Sequence, residues 1–221
     1  MYRRLWALAA AGLLATACFG KFALGVTQTI EPTPILPGAN VKQELNIEAD
    51  GLLGTAVKQA LTDAATSALL AARPLQLPTL AAAGACPRSA GATVNSKVVP
   101  ALGPGPIYPV GLGTDGVLQF GGFPRGGWYY AKVLWVASPG YTDRHVLIRG
   151  RQIDGANELR FEDGADPQGE LHFEGADLGQ GWRHQPSYTR VSGPGCYAYQ
   201  VDGLGLREVI VFEAVAEKSG G

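Results

Sequence analysis

From Cys86 onward, apolar side chains recur at every second position in short runs broken by glycine and proline. That period belongs to strands, whose successive side chains point to opposite faces. Glu158–Glu162 and Glu170–Glu174 alternate polar and apolar without a break. Tyr129, Ala131, Val133 and Trp135 line one side of a long run, and Trp128, Tyr130 and Lys132 the other. Arg144–Arg151, Cys196–Val201 and Val209–Phe212 read as further strands, the last two joined by a turn at Asp202-Gly203-Leu204-Gly205. No helical period interrupts them. The 31 glycines, about double the usual ~7% share, supply turns. Strands at short spacing with no interleaved helices predict a mainly β, antiparallel sandwich over residues 86–214.

The chain ahead of Cys86 is built differently. Arg3 and Arg4, the apolar run Leu5–Leu14 and the small residues Ala15-Thr16-Ala17 fit a signal peptide over residues 1–17. Leu14-Ala15-Thr16-Ala17-Cys18 resembles a bacterial lipobox, in which the cysteine carries diacylglycerol; Ala15 stands where leucine is usual. The resemblance implies a lipid on Cys18 and a membrane attachment through it. Ordinary cleavage after Ala17 and an uncleaved signal anchor stay open. Residues 18–45, with Glu31-Pro32-Thr33-Pro34 and Pro37-Gly38, read as an extended tether. Residues 46–73 read as a helical segment. Val57, Leu61, Ala65, Ala68, Leu69 and Ala72 recur there at helical spacing, and Pro74 ends the run. That stripe is expected to pack on the helix's own domain, with self-association as the other use. Residues 74–85 read as a Pro/Ala-rich linker and 215–221 as a flexible tail.

Residues 1–17 hold two of the 18 basic residues and no acid, so the remaining 204 residues carry 16 basic against 19 acidic, a net charge of −3. That balance argues against a nucleic-acid partner. Cys86 and Cys196 form an even pair, most simply a disulfide in an oxidising compartment; two buried free thiols are the alternative. A central-strand tryptophan and an intersheet disulfide resemble the immunoglobulin-like pattern, although Cys86 lies far ahead of Trp135. Gly193–Gly203 with Val209-Ile210-Val211-Phe212 and Val146–Arg151 resembles the C-terminal immunoglobulin-like domain of uncharacterised exported bacterial proteins. The resemblance covers roughly residues 86–214 and implies an extracytoplasmic β-sandwich with no activity attached.

Candidate chemistry is thin. Gly111-Leu112-Gly113-Thr114-Asp115-Gly116 matches a dinucleotide fingerprint, but Val117–Gly122 is no helix, so the match reads as a turn. The three histidines, His145, His172 and His184, lack metal-ligand spacing, and catalytic zinc takes three protein ligands. Asp163, Asp166, Glu170, Glu174 and Asp177 fit neither a calcium loop nor a glycosidase pair and read as solvated turns. Ser192 lacks the nucleophile-elbow glycine. No cofactor or metal site is read. Trp128 and Tyr130, on the polar face of their strand, are the binding candidates, because exposed aromatics stack on sugars or anchor interfaces. The sequence thus predicts an exported envelope protein, membrane-anchored or secreted, whose non-catalytic sandwich binds or scaffolds an envelope protein or glycan. The alternative is a small envelope hydrolase with a site assembled from histidine and acid. A polar cleft gathering those groups would favour the enzyme, and a strand face bearing Trp128 and Tyr130 would favour binding.

Overall fold

The computed structural model describes residues 52–216 except 82–83, 95–99, 114, 121–123, 125 and 163–165, with side chains from Gly54 onward. The described residues belong to one unit, 47–221. The signal peptide, Cys18, the tether and residues 217–221 of the tail lie outside them.

One helix, α1 (Leu52–Ala71), leads twelve strands: β1 (Gly91–Ala92), β2 (Ala101–Leu102), β3 (Ile107–Val110), β4 (Val117–Phe120), β5 (Tyr129–Ala137), β6 (Val146–Gln152), β7 (Leu159–Phe161), β8 (Glu170–Phe173), β9 (Ala176–Gly179), β10 (Trp182–Val191), β11 (Gly195–Asp202) and β12 (Arg207–Ala216). The first sheet runs β1-β2-β3-β5-β10-β7, with β9 also on β10; the second runs β4-β12-β11-β6-β8. The two sheets form a β-sandwich, with β3, β5, β10 and β7 in one layer and β12, β11, β6 and β8 in the other. One pair departs from the expected antiparallel pattern: β4 runs parallel to β12.

Alternation fixes the interior. Val133, Trp135 and Ala137 from β5 face Tyr197, Tyr199 and Val201 from β11 and Ile210, Phe212 and Ala214 from β12, all buried in one cluster. Each large side chain buried there is worth roughly 1.5–3 kcal/mol. Trp135 meets the Tyr199 ring edge-on at 5.0 Å, and the Tyr199 hydroxyl shares a 2.7 Å hydrogen bond with Thr189 Oγ1 across the sandwich.

The longest strand that the pattern conceals is β10. Pro186 interrupts it, and proline removes a ladder donor. The strand survives because its outer side is split: β9 pairs at residues 182–184 and β7 at 189–191. The Tyr188 carbonyl accepts from Glu162 N on that side. Pro186 shares its parity, so the missing N–H faces the gap.

Two further expectations are corrected. The disulfide between Cys86 and Cys196, Cα atoms 5.4 Å apart, does not join the two sheets. Cys196 alternates with the inward Tyr197 and therefore points out of the second sheet, into a smaller cluster with Ile153, Ala198 and Val211. Leu77, Leu80 and Cys86 pack on that cluster. The Pro/Ala-rich stretch is accordingly a strap on the outer face of the second sheet. Gln200 Nε2 donates to Pro74 O (3.1 Å) and Gln200 Oε1 accepts from Gln76 N (2.6 Å). Leu80 N bonds Ile153 O, and Ser89 N bonds Val211 O.

The second correction concerns α1. Its apolar stripe faces solvent: Val57 is 51%, Leu61 46% and Leu69 64% exposed. The face turned toward the sandwich carries Asp63, Thr66, Ser67 and Leu70, of which Thr66 and Leu70 are buried. Polar contacts choose that face: His145 Nε2 meets Asp63 Oδ1 at 2.9 Å, and Arg149 reaches the Ala71 carbonyl at 3.4 Å.

Candidate functional site

The outer face of the first sheet is assembled from β5 and β10. Strand parity sends Trp128, Tyr130, Lys132 and Leu134 outward, opposite the inward Tyr129, Ala131 and Val133. Register sets Tyr130 beside Arg190 and Lys132 beside Tyr188. Tyr130 is 36% exposed, Lys132 is exposed, and Trp128, Leu134 and Tyr188 are half-buried. Tyr130 and Tyr188 meet edge-on, centroids 5.9 Å apart at 73°. The Arg190 guanidinium lies 5.9 Å from the Tyr130 centroid, and its Nε donates to Glu162 O at 2.6 Å. The two binding candidates therefore share one face, where Tyr130 belongs to an edge-on pair. Sequence reasoning missed Tyr188 and Arg190, since both sit on the strand hidden by Pro186. Across β3, β5 and β10 there is no carboxylate. Among the described residues Glu158 and Glu162 flank β7, Asp177 on β9 stands in register with Arg183, and Glu158 is held by Arg160 at 3.0 Å. Burial pushes the Glu162 carboxyl above its ordinary range.

A cleft of about 610 Å³ opens between α1 and the β6 and β8 ends of the second sheet, lined in part by Asp63, Ser67, Arg144, His145, His172 and Glu174. It lies within the size range of small-molecule sites. Two of the three histidines meet here. Asp63 Oδ1 accepts from Gln59 Nε2 (2.7 Å) and bonds His145 Nε2; His172 Nε2 bonds Glu170 Oε1 at 3.1 Å. His184 is elsewhere, on β10 opposite Val136, its Nδ1 buried without a partner. Among the described residues no hydroxyl or thiol is hydrogen-bonded to His145 or His172, and no group of three His, Cys, Asp or Glu suits a metal ion. The pairing of Asp63 with His145 spans 82 positions and left no local signal.

The remaining motifs resolve simply. The glycine-rich run is followed by strand β4 and not by a helix, with Gly113 (φ 66°) and Gly116 (φ 71°) left-handed. Glu170 belongs to β8, Glu174 follows it, and Asp177 on β9 accepts from Gly179 N at 2.7 Å. Asp163 and Cys18 lie outside the described residues. No described helix is long and apolar enough to cross a membrane. A disulfide closing a long loop is a feature of proteins folded in oxidising compartments.

No protein-family model matches the chain, and no curated protein matches it. Among solved structures, the CooA pilin subunit from enterotoxigenic Escherichia coli aligns with 52% of this chain and 100% of its own at 8% identity and a TM-score of 0.32. A family 123 glycoside hydrolase from Clostridium perfringens aligns with 46% of this chain and 22% of its own at 10% identity and a TM-score of 0.29. Similarity at that level assigns neither partner nor reaction.

Proposed function

We propose that the chain is an exported, non-catalytic binding or scaffolding module of the cell envelope, held at the membrane through a lipid on Cys18. Its contact surface is the outer face of the first sheet, with Trp128 and Tyr130 as anchors and an envelope protein or glycan as partner. The observation that carries this reading is the asymmetry of the sandwich. A strap and a disulfide cover the outer face of the second sheet, while the aromatic face of the first holds no packed helix or strap among the described residues. Interface anchors are typically aromatic.

The test is co-sedimentation of the intact protein with envelopes of the producing cell. Trp128→Ala and Tyr130→Ala should each weaken retention by about 2 kcal/mol or more. Unchanged retention of both variants would reject the face. Cys18→Ser should abolish labelling by a fatty-acid analogue and detergent partitioning; persistence of both would reject the lipid.

The cleft supports a second reading, a small hydrolase, because His145 and Asp63 sit within hydrogen-bond distance beside His172. Under that reading His145→Ala or His172→Ala removes a hydrolytic activity that Trp128→Ala leaves intact.

A further inference from the structure

We propose that α1 is a self-association element, and that two copies of the chain pair through this helix antiparallel about a two-fold axis passing between Ala64 and Ala65. Amphipathic helices normally turn their apolar stripe to the core. This one is inverted. Val57, Leu61, Ala64, Ala65, Ala68 and Ala72 occupy an arc of about 100° and are all exposed. Asp63, Thr66 and Ser67 lie on the opposite arc, toward the sandwich. Three of the six large apolar side chains exposed among the described residues, Val57, Leu61 and Leu69, belong to this one helix. The arc holds no charged residue.

Shape selects a second copy as the occupant. The bulky residues sit in the N-terminal half of the arc and alanines fill the C-terminal half. Antiparallel pairing about the central alanines sets Val57 against Ala72, Leu61 against Ala68 and Ala64 against Ala65, each pair occurring twice, as an isologous interface requires. Every large side chain then meets a small one, which lets the helices approach to the lower end of the usual 8–10 Å separation. Parallel pairing would set Val57 on Val57 and Leu61 on Leu61 at one end and leave a gap between alanines at the other. A lipid surface is the poorer fit. Interfacial helices carry bulky aromatic or leucine faces with flanking Lys or Arg, whereas this arc is mostly alanine with Lys58 as the helix's single cation. The seam, about 23 Å long, buries roughly a few hundred Å² per chain, less than the total of about 1,000 Å² that a stable interface clears. The dimer is therefore weak and concentration-dependent.

The test uses the full chain carrying Cys18→Ser, in which Cys86 and Cys196 are held in their bridge. Sedimentation over rising protein concentration should show a reversible dimer, and Leu61→Glu should raise its dissociation constant about tenfold or more with an unchanged melt. Under mild oxidation Ala65→Cys should cross-link to itself. Val57→Cys should not, because two copies of that position lie about 22 Å apart in the antiparallel pair, beyond disulfide reach; mixed with Ala72→Cys it should cross-link. A chain that stays monomeric at every concentration, or a dimer indifferent to Leu61→Glu, overturns the proposal. Self-cross-linking of Val57→Cys overturns the antiparallel arrangement. Binding of the monomer to phosphatidylcholine–phosphatidylglycerol vesicles, lost on Leu61→Glu, would assign the face to lipid instead and equally overturns it.

Discussion

The two outer faces of the sandwich are finished in different ways. On the second sheet, Cys196, Ala198, Gln200 and Asp202 project from β11 toward the strap, and each finds a partner within the chain. On the first sheet, Tyr130, Lys132 and Leu134 project from β5, with Trp128 immediately ahead of it, and the strap and helix lie elsewhere. The covered face shows what this chain does when it closes a surface: it pairs buried polar groups and staples the cover. Asp202 is the centre of that cover. It is fully buried and held by Arg149 (2.9 Å), Arg207 (3.1 Å), Arg73 (3.6 Å) and Gln200 Nε2 (2.7 Å). Arg73 also donates to Gly203 O at 2.6 Å, fixing the β11–β12 turn to the end of α1. The face of the first sheet carries a cation–aromatic cluster instead, in which Arg190 lies over the Tyr130 ring and Tyr130 meets Tyr188 edge-on.

The largest expected effect follows from that node. Asp202→Ala strips the counter-charge from three guanidinium groups and should destabilise the fold by about 3–5 kcal/mol, measured by chemical denaturation. Loss below about 1 kcal/mol would mean that the cover is not held where the hydrogen bonds put it. Cys86→Ala comes next, at about 2–5 kcal/mol for a closed loop of this length. Reduction should lower the melting temperature of the parent and leave that of Cys86→Ala unmoved. Ready thiol labelling of both cysteines without reductant would remove the staple from the comparison.

Two carboxylates then separate the covered face from the interior by the sign of their pH dependence. Burial alone would push the Asp202 carboxyl up, but Gln200, Arg149 and Arg207 outweigh it and hold it below the ordinary range. Its contribution is present above the unfolded value near 3.8 and is lost as pH falls through the folded one. Glu208 has the parity of the inward Ile210, with one carboxylate oxygen buried and unpartnered, and burial pushes it up to about 7. The folded state therefore holds that proton more tightly, and stability declines as pH rises from about 4.5 to about 7. The shift bounds the effect at about 3 kcal/mol, and partial exposure reduces it. Melting temperatures from pH 5 to pH 8 should fall for the parent and flatten for Glu208→Gln; parallel curves would return Glu208 to solvent.

Much of this arrangement was legible in the residues, and the exceptions have physical causes. Strict alternation announced β5, β7 and β8, because one buried face leaves no freedom of register. β10 stayed hidden behind Pro186, since the gap between β7 and β9 that excuses the missing N–H is a property of the whole sheet. The cysteine pairing followed from an even count, but which side of β11 Cys196 faces depends on the strap, whose Pro/Ala composition matches that of a free linker. The period of α1 gave the helix and misgave its orientation. The polar contacts of Asp63 with His145 and of Arg149 with the Ala71 carbonyl, and one buried leucine, Leu70, outweigh a stripe composed mostly of alanines, which have little surface to bury. Of the contact face, Trp128 and Tyr130 were readable from parity, while Tyr188 and Arg190 went unread with their strand.

The smallest expected effect is the one that most sharpens the contrast. If the bare face is finished by a partner outside the chain, its aromatics contribute little to folding. Trp128 is half-buried, and Trp128→Ala should cost no more than about 1 kcal/mol, against about 3–5 for Trp135→Ala in the interior. Tyr130→Ala should cost slightly more than Trp128→Ala, because its ring covers the buried Arg190 and meets Tyr188 edge-on, contacts worth about 0.5–1.5 kcal/mol each. A Trp128→Ala loss approaching that of Trp135→Ala would show the ring packed into the fold like the side chains beneath the strap. The two outer faces would then differ only in how each is closed, and the asymmetry that nominates the first sheet for binding would disappear.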